Sequence, residues 1–209
     1  MAVSRLMAVC LSVVAASFNS AISFSGILLA GGKSARMGTN KALLSHNGKP
    51  LWQHQFDLLS AAGCSPVFIS LRQKEDWVPA GVTAVLDLDD AGPLGALRAA
   101  CLTATSSHIV VLAVDLPAVP LTWLEKLCAR CRPGVGAVGQ HPDANFEPLA
   151  AAYPIELRHT IEDGLRRGQF ALQNMVRRGV EVGQLEPVRI QAYRADWFKN
   201  WNTPEDVVR

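Results

Sequence analysis

From Ser23 onward the apolar residues alternate between short continuous runs and longer stretches in which polar residues recur at helical spacing. Continuous runs bounded by glycine, proline or charge read as strands buried on both faces, and spaced ones as amphipathic helices. The order begins with the strand "FSGILLA", a glycine loop and the turn "SHNGKP". A helix follows, "PLWQHQFDLLSAAG", opened by Pro50 and closed by Gly63. Next come the strand "PVFISL", a polar charged loop around Lys74 to Asp76, the strand "VTAVLD" and the helix "GPLGALRAACLTA". The strand "HIVVLAVD", the helix "PLTWLEKLCARC" and the strand "VGAVG" complete the repeating part. Beyond Pro142 the rhythm changes: "EPLAAAY" reads as a short strand, and "PIELRHTIEDGLRRG" and "QFALQNMVRRG" as helices. In "NWNTPEDV", Thr203 has the position of an N-cap and Pro204 that of a first helical residue. This alternation predicts an α/β protein of three layers, α/β/α, with a mostly parallel, Rossmann-like central sheet.

In open sheets of this class, ligands bind outside the carboxyl ends of the strands. Gly31 and Gly32, Ser70, Asp87 and Asp115 all stand at or just past such ends, so the pattern brings them toward one cleft. The glycine loop, "GILLAGGKSARMGTNK", is not a P-loop. Counting from Gly26 puts Gly32 where the lysine should be, and counting back from Gly32 puts Ile27 where the first glycine should be. Residues Ile27 to Ala30 are apolar and belong to the strand, so any grip on a ligand begins at Gly31. Glycines at a strand-to-helix turn let backbone N–H groups approach an anion. Lys33, Arg36 and Lys41 follow without an acidic residue among them, a pattern suited to a polyphosphate. Asp115 ends its strand with no charge before it, a placement suited to Mg²⁺ held by a carboxylate and phosphate oxygens.

Composition narrows the setting. The 209 residues are 49% hydrophobic and 18% charged, enough for one full core. We expect a single domain over 23–209 preceded by an extension, 1–22. A net charge of +2 supplies no strong basic field, which argues against nucleic acid as a partner. Leu6 to Phe18 is an apolar run of signal-peptide length, too short to span a bilayer as a helix. A targeting segment and a loosely attached or wrongly assigned start both fit it. The five cysteines show no disulfide framework; Cys128 and Cys131 form a C-x-x-C without the second pair that zinc needs.

The motif "LLAGGKSARMGTNKALL" resembles the L-A-G-G-x-S-x-R-M-G-x-x-K signature of nucleotidyltransferases with a GT-A-like fold. Together with "NGKPLWQH", "GPLGAL", "DLPAVP", "EPLAAAY" and "NWNTPED" it is similar to the molybdenum cofactor guanylyltransferases, from about Gly26 to Val207. The resemblance implies an enzyme that transfers GMP from GTP to the terminal phosphate of molybdopterin and releases pyrophosphate. It implies main-chain contacts from Leu29, Ala30 and Gly31 to GTP, with Gly32 and Arg36 near the triphosphate and Lys41 on the phosphates. Ser70 and Asp87 align with guanosine contacts, Pro93 to Gly95 with the base, Asp115 with the Mg²⁺ aspartate, and Asn200 and Asn202 with the pterin-side asparagines. Two positions depart from the pattern: Asn40 replaces a common Asp before the lysine, and Ser70 a common longer Asn.

A phosphate monoester with a second pKa of about 6 is already largely anionic at neutral pH, so the implied reaction needs no strong base. Arg36, Lys41 and Asp115 would carry it by positioning and charge neutralisation. Sister enzymes using another nucleotide, a molybdenum cofactor cytidylyltransferase or a sugar-phosphate nucleotidyltransferase, are the alternative. The glycine pair of this loop, in place of the alanine-glycine of L-A-A-G loops, favours guanylyl transfer. Because GTP and molybdopterin are intracellular, we expect a cytoplasmic protein, with no membrane partner and transient contact with other molybdenum cofactor proteins.

Overall fold

The computed structural model describes residues 22–31, 40–86 and 91–201. Gly32, Lys33, Arg36, Met37, Asp87, Asn202 and Thr203 lie outside the described residues. The strands are β1 (Phe24–Leu29), β2 (Ser45–His46), β3 (Lys49–Pro50), β4 (Val67–Leu71), β5 (Thr83–Leu86), β6 (His108–Ala113), β7 (Gly136–Gln140), β8 (Phe146–Pro154) and β9 (Leu185–Arg189). The helices are α1 (Leu51–Ala61), α2 (Pro93–Thr103), α3 (Leu121–Cys128), α4 (Arg158–Arg166) and α5 (Leu172–Glu181).

Seven strands form one sheet in the order β5-β4-β1-β6-β8-β7-β9, and β2 pairs with β3 in a small hairpin. Every pairing in the large sheet is parallel except the two made by β8. The mostly parallel sheet read from the alternation is therefore present. Parallel strands must be covered on both faces, and two apolar clusters do this. One, with Leu51, Leu59, Trp123 and Leu127, packs α1 and α3 against one face. The other, with Leu94, Leu97, Ile161 and Val176, packs α2, α4 and α5 against the opposite face. β6 is central and buried along its full length, which is why its sequence is continuously apolar.

The sequence reading of the second half needs three adjustments. "EPLAAAY" is the core of a nine-residue strand, β8, antiparallel to both neighbours. β9 was not expected: its polar sequence, LEPVR, suits a strand pairing only with β7, with Pro187 exposed at the edge of the sheet. Between β9 and Trp201 runs a 3-10 segment, Ala192–Phe198, whose Phe198 packs edge-on against Trp123. Trp123 and Tyr153 are fully buried, and each satisfies its polar atom by donating to a main-chain carbonyl, of Ala150 (3.1 Å) and Pro148 (2.8 Å) respectively. Among the described residues, no helix is long and apolar enough to cross a membrane.

Candidate active site

The carboxyl ends of β1, β4 and β6 open into a cavity of about 260 Å³, lined by Leu29, Ala30, Gly31, Lys41, Ser70, Arg72, Gly92, Pro93 and Asp115 among others. Parallel pairing in register produces this convergence. Leu29 aligns with Ser70 across β1 and β4 and with Ala113 across β1 and β6, so the chain leaves all three strands at one level. Two further bonds extend the pairing past the strand ends: Ala30 N–H donates to Ser70 O (3.1 Å), and Val114 N–H to Leu29 O (3.0 Å).

Two glycines shape the wall. A Cβ on Gly31 would lie 3.2 Å from Arg72 N and 3.3 Å from Leu71 C, so the β1 exit passes too close to β4 for a side chain without movement. Gly92, the cap before α2, has φ +63°, a conformation that favours glycine. Pro93 follows at the first position of the helix.

Lys41 and Asp115 face each other across this space. The ammonium and carboxylate are 4.0 Å apart, with side chains 18% and 24% exposed. Burial raises the Asp115 pKa above its ordinary value, and the nearby Lys41 charge only partly opposes this. Lys41 opens the 3-10 turn Lys41–Leu43, whose cap is Asn40: its side-chain oxygen accepts the Ala42 N–H at 3.0 Å. Asn40 thus performs the capping that an aspartate would, and the carboxylate near Lys41 is supplied by Asp115 instead. Ala42 is fully buried, which seats the turn against the core.

Asp115, Lys41, Ser70, Gly31, Ala30 and Leu29 all line the one cavity. Ser70 is buried, only 3% exposed. Asn200 is exposed, and the segment carrying it reaches the site through Trp201, whose N–H donates to Asp115 O at 2.9 Å. The indole of Trp201 meets the His46 ring edge-on at 4.9 Å, and His46 meets His54 at 5.0 Å. Three polar residues near the site were missed in the sequence. Arg72 lies just past β4 and lines the cavity. Glu147, on β8, faces His141 Nε2 at 3.5 Å and accepts the Leu149 N–H at 3.4 Å. Burial raises the Glu147 pKa; the His141 hydrogen bond is the largest opposing influence, and the Asp115 charge adds to the rise. Gln55, fully buried on α1, donates to carbonyls on both sides of Asp115. Arg72 and Glu147 stand in stretches whose composition says only "charged loop" and "strand".

The donor set suits a hard divalent cation. Asp115 offers carboxylate oxygen at the cavity wall, and no thiol or imidazole stands among the lining residues. Among the described residues no group of three or more His, Cys, Asp or Glu is gathered for a metal. A cation on Asp115 would draw its other ligands from phosphate oxygens and water, which is how Mg²⁺ is commonly held. Burial pushes the Cys128 and Cys131 thiols up to about 11 and about 12, and the Cys131 thiol donates to Leu127 O (3.4 Å).

Comparison with known proteins places this geometry. Residues 26–182 match the family model described as the MobA-like NTP transferase domain. A protein of Opitutus terrae named probable molybdenum cofactor guanylyltransferase is 40% identical over 190 residues, covering 89% of this chain and 94% of its own. A molybdenum cofactor guanylyltransferase of Yersinia pestis is 29% identical over 185 residues, covering 87% and 91%. Among solved structures, the molybdopterin-guanine dinucleotide biosynthesis protein A of Archaeoglobus fulgidus superposes with a TM-score of 0.68 at 22% identity, over 88% of this chain and 95% of its own. The 2-C-methyl-D-erythritol 4-phosphate cytidylyltransferase of Thermus thermophilus superposes with a TM-score of 0.65 at 18% identity, over 90% and 96%, so the fold is common to enzymes that use different nucleotides.

Proposed function

The chain belongs to the MobA-like NTP transferase domain family, a family of nucleotidyltransferases, and from that membership we propose that it transfers GMP from GTP to the terminal phosphate of molybdopterin. In this reaction a phosphate oxygen of molybdopterin attacks the α-phosphorus of GTP. A new P–O–P bond forms, the bond between the α-phosphorus and its bridging oxygen to the β-phosphorus breaks, and pyrophosphate leaves. The product is the guanine dinucleotide form of the cofactor.

The observation that carries this reading is the meeting of Gly31, Lys41 and Asp115 at one cavity, at the carboxyl edge of the sheet. The absence of a Cβ at Gly31 lets the β1 exit pass close against the β4 backbone and so shapes the wall beside which the phosphates would lie. Lys41 would meet the negative charge gathered on the departing pyrophosphate, with Arg36 joining it from the glycine loop. Asp115 would hold Mg²⁺, and the ion when bound would neutralise phosphate charge. Asp87 and Ser70 would contact the guanosine, with Pro93 along the base. Asn200 and Asn202 would flank the pterin. The attacking phosphate is already largely anionic near neutral pH, so no residue is required as a strong base.

The test is pyrophosphate release from each of the four NTPs in the presence of molybdopterin and Mg²⁺. GTP is expected to be the preferred donor. Preference for CTP would move the chain to the cytidylyl reaction, and release dependent on a sugar phosphate instead of molybdopterin would move it to a different acceptor class. A cytoplasmic location and the folding of residues 23–209 as a single domain belong to the same proposal. Fractionation of cells and expression of that segment test them.

A further inference from the structure

The turn that carries Asp115 is held from three directions. Val114 N–H donates to Leu29 O on β1 (3.0 Å), and Trp201 N–H donates to Asp115 O (2.9 Å). The third hold is a side chain: Gln55 Nε2 on α1 donates to both Ala113 O (3.2 Å) and Leu116 O (2.8 Å), 58 and 61 residues away in sequence. These carbonyls flank Asp115 on either side.

Stability alone does not explain a glutamine here. Gln55 is 0% exposed and sits one turn from the buried Leu51 and Leu59. Its Oε1 is buried with no hydrogen-bond partner, an arrangement that is unfavourable in a core. Nor do the two carbonyls depend on it. Ala113 O also accepts the Leu116 N–H (3.3 Å), and Leu116 O accepts the Val119 N–H (3.2 Å). An apolar side chain of equal length would leave both carbonyls bonded and would remove the orphaned oxygen. What such a side chain could not do is tie both carbonyls of the turn to α1 and so fix where the turn sits against that helix.

We infer that Gln55 is a positioning residue: by clamping both sides of the β6 exit it sets the aim of the Asp115 carboxylate into the cavity. The inference rests on the proposed metal-holding role of Asp115. Groups that orient a metal ligand from behind typically change metal affinity or activity 10–100-fold when removed.

The test uses the full chain with GTP and Mn²⁺ as the probe ion, read by electron paramagnetic resonance, with kcat and melting temperature measured beside it. Gln55→Met keeps the length of the side chain and removes its donors. Its Mn²⁺ dissociation constant is expected to rise about 10-fold and kcat to fall about 10- to 100-fold, with the melting temperature within about 4 °C of the parent. In an Asp115→Asn background the same change should have little further effect on kcat, because the two act as one unit. Gln55→Asn, whose shorter amide cannot span both carbonyls, should fall between parent and Gln55→Met. A Gln55→Met protein that binds Mn²⁺ and turns over like the parent overturns the inference. So does failure of both variants to fold, which would mark a purely structural residue. A parent protein that binds no Mn²⁺ with GTP overturns the reading of Asp115 and this inference with it; the parent binding and Gln55→Met matching it overturns this inference alone.

Discussion

The two ends of β6 are built in opposite ways. At the amino end, His108 is fully buried, yet its ring nitrogens face Ser107 Oγ (3.0 Å) and Val135 O (3.1 Å). Around it Ser25 bonds Ser106 (2.8 Å), and Ser23 and Ser107 exchange bonds (3.0 and 3.2 Å). Burial lowers the His108 pKa, with the hydrogen bond to Val135 opposing it, so the charged form of the ring is disfavoured. At the carboxyl end, burial works against a carboxylate, Asp115, and beneath it the buried Gln55 leaves an oxygen without a partner. One end of the strand completes its hydrogen bonds; the other holds a carboxylate at the cavity and, behind it, a buried acceptor without a partner. The lesson is that polar burial serves the fold at one edge and, on our reading, chemistry at the other.

This contrast predicts which changes abolish activity and which destabilise the fold. The largest effect belongs to Asp115→Ala: GTP-dependent transfer should fall on the order of 10³-fold, while the melting temperature does not drop. Near-normal turnover in Mg²⁺ would break the contrast at its strongest point. Lys41→Ala should lower kcat about 10²-fold through lost charge at the phosphates, again with the fold intact by circular dichroism. At the other end, His108→Phe should behave inversely. It removes the ring's partners for Ser107 and Val135 and should lower unfolding free energy in guanidinium titrations by about 1–3 kcal/mol, with kcat per folded molecule unchanged.

The smallest effects are in pH dependence, and they have opposite signs. The depressed His108 pKa means that protons favour the unfolded chain, so stability should decline as pH falls through about 6.5; His108→Phe should flatten that decline. The raised Asp115 pKa means that ionisation disfavours the fold, so its penalty is absent below the ordinary carboxylate range and grows as pH rises through the folded value. Asp115→Asn, without metal or nucleotide, should therefore melt about 1–3 °C above the parent at pH 7, and the gap should close on acidification. Identical melting curves across pH would remove the electrostatic half of the contrast.

How legible each end was depends on whether its signal is local. The apolar runs of β1, β4 and β6 and the break at Gly31 are local, and the parallel sheet follows from them. The alignment of Leu29 with Ser70 and Ala113 is the register consequence of that same pattern. β8 extends beyond "EPLAAAY" because Phe146 and Pro154 complete ladders whose partners lie elsewhere, at Gln140 and His108. β9 carries no buried-strand signal because Pro187 and two polar residues, Glu186 and Arg189, occupy three of the five positions of this edge strand. Gln55 reads as an ordinary polar position on an amphipathic helix; only its contacts across 58 and 61 residues distinguish it. Glu147 likewise becomes notable only beside His141 and in the field of Asp115.

The most direct test of the central claim is a crystal structure of the chain with a non-hydrolysable GTP analogue and Mn²⁺, located by its anomalous signal. The account predicts a manganese peak within coordination distance of the Asp115 carboxylate, with phosphates between Gly31 and Lys41. Nucleotide bound in the separate groove lined by Arg98, Glu162 and Phe170, with no metal at Asp115, would contradict it.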